Sequence, residues 1–194
     1  MRVLATENDD QFNAKDLTPE MAFKIMMSKL ISQENRPCDQ SLKNYVDFLT
    51  SFFEKKDISI NPESAYGYEG MITKGPIQFF SIHERDVLPF FGDVWIGYIP
   101  DRQIIPDGKL QEIINYHSHS LQNQQKITTQ IATTIQSISP KFVGIVIDGY
   151  HIFKPNCINQ TRSATRTMHF EGSGVYGHLQ ERETFLKSIK FSNQ

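Results

Sequence analysis

The sequence predicts an α+β protein with an antiparallel sheet, from three observations. Apolar residues recur at three- and four-residue steps near the start, after the middle and at the end of the chain. Between those stretches lie short apolar runs rich in Ile, Val, Phe and Tyr, bounded by Gly and Pro and joined by short turns. The order of the two kinds of segment is two helices, three strands, two helices, two strands and a helix, which is the arrangement of an α+β domain.

Each element has its own signal. Thr18-Pro19 supplies an N-cap and a first helical position, and Met21, Ala22, Ile25, Met26 and Leu30 follow at helical spacing. A second helix spans about Asp39 to Lys55, marked by Leu42, Tyr45, Val46, Leu49, Phe52 and Phe53. Phe23 and the methionines around it read as core. After Pro62 the period changes, and "GYEGMITKG", "IQFFSIH" and "DVWIGYIP" read as three consecutive strands. From about Lys109 to Ile138 the pattern is helical again, but its polar middle, "YHSHSLQNQQ", predicts two helices with a break. His117 and His119 in that break read as a solvated helix face. "KFVGIVIDGYHIF" is a buried strand, "TRTMHFEG" its partner, and "HLQERETFLKSI" an amphipathic closing helix. The expected organisation is an N-terminal helical region over 1–62 and an α+β domain over 63–194, with no internal repeat or Pro/Ser-rich linker.

Composition narrows the function classes. The 194 residues fit one compact domain or a domain with a small appendage, and 39% hydrophobic residues with 14 Phe provide for an aromatic-rich core. A net charge of −2 leaves no electrostatic footprint for nucleic acid. No apolar run approaches the roughly 20 residues needed to span a bilayer, and the N-terminus lacks the apolar stretch of a signal peptide. Two cysteines, Cys38 and Cys157, do not suggest a disulfide framework. The expected setting is reducing and cytoplasmic.

The chemistry-bearing stretch is "FFSIHERDVLPFFG", residues 79–92, in which Pro89 and Gly92 bend the chain beside a run of ligand and acid/base side chains. Together with "GMITKGPIQFFSIHERDVLPFFGDVWIGYIPD", "GKLQEI", "LQNQQKITTQIATTI", "VGIVIDGYHIF" and "ETFLKSI", in that order, it resembles the GTP cyclohydrolase I family over about residues 64–191. The resemblance implies a tunnelling fold, in which antiparallel strands of several subunits form a barrel with helices outside. It also implies active sites between subunits and, by family habit, a homodecamer.

Residue by residue, the resemblance carries over unevenly. The family's Cys-Glu-His-His motif, whose Cys and second His bind zinc, reads His83-Glu84-Arg85-Asp86 here. The second zinc-binding Cys, two residues after the family's proton-donating histidine, is Phe153, and that histidine is His151. A catalytic zinc takes three protein ligands and keeps one position open. His83, Asp86 and His151 are a candidate replacement set, harder than the original and suited to iron, manganese or zinc. The alternative is that the metal is gone and His83 and Asp86 only hydrogen-bond.

On the substrate side, the family's guanine-gripping Gln-Glu pair is Gln124-Gln125. The Gln125 amide suits a ring presenting a donor beside an acceptor. Lys109 keeps the family's triphosphate-binding Lys, but Gly108, Glu112 and Cys157 stand where it has Ser, Arg and Arg. Compensation for the two missing arginines is open to Lys154, Arg162 and Arg166. Arg85 offers a fixed cation, Glu84 supports the loop, and a nucleophilic Cys157 stays conceivable. The expected activity is hydrolysis or ring chemistry on a purine- or pterin-type heterocycle other than GTP. A non-catalytic heterocycle-binding homologue and a GTP cyclohydrolase with a rearranged metal site are the alternatives.

Overall fold

The computed structural model describes residues 17–32, 37–54, 56–152, 164–173 and 179–189. The chain divides into two compact units, Met1–Glu54 and Lys55–Gln194. The first is a helix pair, α1 (Pro19–Leu30) and α2 (Asp39–Phe53). Thr18 caps α1, its hydroxyl accepting from the Met21 N–H at 3.3 Å. Leu42, Val46 and Phe52 are the buried residues of α2, at the spacing of one helix face.

The second unit is built on a five-stranded sheet ordered β5-β2-β3-β6-β7. Its strands are β2 (Ile72–His83), β3 (Pro89–Ile99), β5 (Leu121–Gln122), β6 (Phe142–His151) and β7 (Ala164–Gly172). The long neighbours pair antiparallel, as expected, and β5 adds a short parallel edge to β2. Two further pieces, β1 (Glu63–Ser64) and β4 (Gln103–Ile104), pair with each other. The three long strands expected after Pro62 are two: the end of "GYEGMITKG", from Ile72, and "IQFFSIH" form one strand, β2, whose register slips between Lys74 and Ile77. The Gly75-Pro76 step imitates a turn in sequence, but here it sits inside a strand as an irregularity.

Helices α3 (Asp107–Ser118) and α4 (Gln124–Gln136) break within the polar middle as expected. Their residues Leu110, Ile113, Ile114, Ile127, Ile131 and Ile135 pack on one face of the sheet against Phe79, Phe90, Val94, Ile96, Ile145 and Ile147. The other face carries a smaller cluster around Trp95, Val146 and Phe185 of α5 (Leu179–Ser188). Gly97 and Gly144 make the seat for Phe185: a Cβ at Gly97 would fall 2.3 Å from its ring, and one at Gly144 2.9 Å. Among the described residues, no helix is long and apolar enough to cross a membrane.

Candidate functional site

The site forms where β2 turns into β3 and meets the end of β6. Period-two alternation along β6 puts Ile147, Gly149 and His151 on the face that carries α3 and α4, with Asp148 and Tyr150 on the other. His151 is the register partner of Phe90, and the two rings stack at 4.8 Å and 7°. His83, the last residue of β2, stands edge-on to both, 6.0 Å from His151 and 6.1 Å from Phe90 between ring centres. Phe90 is fully buried and gives the two imidazoles an apolar floor. Burial first, and the neighbouring His83 second, hold His151 below the ordinary histidine value. The ring is therefore neutral at neutral pH.

The turn after His83 is anchored at both ends and in its middle. The His83 N–H donates to the Leu88 carbonyl at 2.8 Å, and the Val87 N–H to the His83 carbonyl at 2.9 Å. Val87 closes the turn in the left-handed region, φ 53°. Glu84 ties it to the start of α4: its N–H donates to Gln122 O at 2.9 Å, and its carboxylate accepts from Asn123 Nδ2 at 2.7 Å and from Lys126 Nζ. Those two hydrogen bonds, Lys126 first, hold its carboxyl below the usual carboxylate range. Asn123 in turn caps α4, accepting from the Lys126 N–H at 2.9 Å. Glu84 thus acts on the loop.

Arg85 and Asp86 are exposed on this turn. Asp86 Oδ2 lies 3.5 Å from His83 Nδ1, and the same nitrogen faces the Arg85 N–H at 3.4 Å. The Arg85 guanidinium makes no ion pair among the described residues. It is a fixed cation at the rim of the site.

The Gln124-Gln125 pair divides. Consecutive helical residues point about 100° apart; Gln125 is exposed, whereas Gln124 is 1% exposed. The Gln124 side chain runs under the ends of β6 and β7. The two hydrogens of its Nε2 are shared among Ile147 O at 3.0 Å, Thr165 O at 2.6 Å and Thr167 Oγ1 at 3.1 Å, and its Oε1 meets His151 Nε2 at 3.0 Å.

The phosphate side holds an ion pair. Lys109 Nζ lies 2.5 Å from Glu112 Oε2, one helical turn on. Arg166 is engaged too, giving two hydrogen bonds to Asp148 at 2.6 and 2.7 Å. It stands on the sheet face opposite His151. Cys157, Phe153, Lys154 and Arg162 lie outside the described residues.

Among the described residues, the donor set does not fit a resident metal. The described residues contain no group of three His, Cys, Asp or Glu side chains placed to hold one. His83 and Asp86 are two donors, one fewer than a catalytic zinc takes from the protein. His151 Nε2 is turned to the buried amide of Gln124, and position 153 is a phenylalanine.

His117 departs from its expectation. It is part-buried between α3 and α4, with Nε2 2.7 Å from Thr134 Oγ1. Burial pushes its pKa down to about 4, so it is a packed, neutral ring and no solvated face. Sequence reasoning also passed over Phe90, Asn123, Lys126 and Gly149. Asn123, a capping residue just ahead of an apolar-periodic helix, was the legible one; Phe90 and Gly149 depend on strand register, and Lys126 on how α4 meets the turn after β2.

With this geometry in view, the comparisons are direct. The model of the family described as GTP cyclohydrolase I matches residues 32–190, and the chain belongs to that family. GTP cyclohydrolase 1 of Rickettsia typhi is 33% identical over 156 residues, 78% of this chain and 81% of that protein. The same-named protein of Porphyromonas gingivalis is 36% identical over 124 residues, 63% of each chain. The chain thus spans less than two thirds of that relative. Among solved structures, the apo archaeosine synthase QueF-Like aligns with a TM-score of 0.44 and 9% identity, covering 55% of this chain and 96% of that one. At that level the likeness carries no functional information.

Proposed function

We propose that this chain is a GTP cyclohydrolase I-like enzyme whose physiological substrate is a planar purine- or pterin-type heterocycle other than GTP. The observation that carries the reading is His151: the resemblance to the family implies a proton-transferring histidine at this position, and burial and the neighbouring His83 hold its ring below the ordinary histidine value on an apolar floor. A neutral imidazole has a lone pair open to a proton at neutral pH, and the depressed pKa, which makes it a weaker base, makes its charged form the better acid. In a hydrolytic opening, His151 would accept a proton from water as the oxygen adds to a ring carbon. The same proton would then pass to the ring nitrogen as the C–N bond breaks, so the net change is addition of one water. His83 and Asp86 would orient that water, and Arg85 would meet a developing oxyanion or an acidic substituent. Gln125, exposed on the first turn of α4, would read the ring edge.

The phosphate side supports a substrate other than GTP. Lys109 is already paired with Glu112, and each charge-assisted contact to a phosphate contributes on the order of 1.5–3 kcal/mol. Losing two such arginine contacts weakens binding by roughly two to four orders of magnitude. The working form we infer is a homo-oligomer, a decamer by family analogy, in a cytoplasmic setting, with the site completed between copies. A non-catalytic heterocycle-binding protein is the second reading, favoured by the loss of a third metal ligand at Phe153.

Purified wild type and His151→Ala, offered guanine, hypoxanthine, xanthine and pterin ring compounds, separate these readings. The enzyme reading expects turnover of at least one ring by wild type, lost in the variant with assembly intact. Equal turnover in both proteins removes His151 from the mechanism. Binding without turnover in wild type favours the second reading, and a clear preference for guanine would overturn the role given to Gln125.

A further inference from the structure

We propose that Gln124 is the positioning residue for His151, fixing which ring nitrogen carries the proton and therefore which one faces the reaction. This rests on the reading of His151 as the proton-transfer group.

A buried amide has two ends that differ in kind: the nitrogen only donates and the oxygen only accepts. The Gln124 nitrogen end is fixed by two main-chain carbonyls, Ile147 O at 3.0 Å and Thr165 O at 2.6 Å, which accept and cannot donate. A flipped amide would set its oxygen against both and leave them without a donor in the interior. The oxygen end therefore faces His151 Nε2 at 3.0 Å, and that nitrogen must be the protonated one. In a neutral imidazole the other nitrogen, Nδ1, then bears the lone pair.

Two more features hold the arrangement. Thr128 Oγ1 donates to the Gln124 carbonyl at 2.7 Å and meets Thr167 Oγ1 at 2.7 Å, so α4, β6 and β7 share one buried polar network. Gly149 makes the room: a Cβ there would fall 2.2 Å from Gln124 Oε1 and meets no other residue's atoms among its three nearest neighbours. The glycine between Asp148 and Tyr150 is thus required by the amide beside it. An amide in this place, which cannot take up or lose the proton itself, keeps Nε2–H fixed while Nδ1 cycles.

Solid-state ¹⁵N NMR of the oligomer, with ring-labelled histidine at pH 8, tests this; His151 is assigned by its absence in His151→Ala. The expected wild-type signal is a single neutral tautomer protonated at Nε2, with the shift of a hydrogen-bonded N–H. In Gln124→Leu, or in Gly149→Ala should the first fail to assemble, a second signal protonated at Nδ1 is expected. A wild-type ring protonated at Nδ1 overturns the assignment, and so does an unchanged single tautomer in an assembled variant. If instead the tautomer behaves as expected while His151→Ala leaves turnover unchanged, the contact stands and the catalytic role of His151 falls.

Discussion

Replacing Glu112 by arginine examines the argument against GTP directly. Glu112 stands where the family has a triphosphate-binding Arg, and its carboxylate holds Lys109 at 2.5 Å. Glu112→Arg removes that competitor, releases Lys109 and puts a second cation one helical turn away. The ion pair itself contributes little, because the Glu112 side chain is 55% exposed and such pairs are worth about 0–1 kcal/mol. The gain therefore comes from the new contact, about 1.5–3 kcal/mol for a charge-assisted hydrogen bond. That corresponds to roughly 10- to 150-fold in affinity, with the lower figure expected at a rim open to solvent. Isothermal titration with GTP at low salt would compare wild type, Glu112→Gln and Glu112→Arg. The expected order is weakest in wild type, slightly tighter in Gln, and about tenfold or more tighter in Arg, with the advantage shrinking as salt screens it. Tight GTP binding by wild type, with no gain in Glu112→Arg, would refute the reasoning.

Two further predictions concern the scaffold. Because His117 stays neutral in the fold with a pKa of about 4, the unfolded ring takes a proton first as pH falls below 6.5. Stability is thus intact above about pH 6.5, is lost between there and about 4, and is level below; the shift corresponds to roughly 2–3 kcal/mol after allowance for residual exposure. Urea unfolding of His117→Gln at matched protomer concentration should show a shallower acid loss by about that amount, and identical pH profiles would contradict it. Gly97→Ala pushes a methyl into the Phe185 ring and should lower stability by about 1–3 kcal/mol. It lies on the face away from His151, so turnover should hold; an unchanged melting temperature would mean that α5 is not seated as described.

Much of this molecule was legible in the chain. The α3–α4 break followed from a polar, weakly helical stretch, and β6 from an uninterrupted apolar run buried on both faces, as the structure has it. Gly75-Pro76 misled because the pair is a turn signal in isolation, whereas pairing along both sides of it keeps β2 one strand. At the site, residue types picked out His83, Asp86 and His151; His83 stands beside each of the other two, but the three are not placed as one ligand set. What sequence could not reach was direction. Gln124 and Gln125 are neighbours of the same type, and only the packing of α4 on β6 and β7 decides which turns inward. His117 was misread for the same reason, since Thr134, its partner, is 17 residues away.

Among the described residues no three donors are placed for a metal, and we infer that the family's metal is lost here while His151 is kept. Metal content by mass spectrometry, on protein purified without chelator or affinity metal, tests this, with His83→Ala and Asp86→Ala alongside. Well under one equivalent of zinc, iron or manganese per chain is expected, indistinguishable among the three proteins. About one equivalent in wild type, lost in either variant, would contradict it and restore a working metal centre.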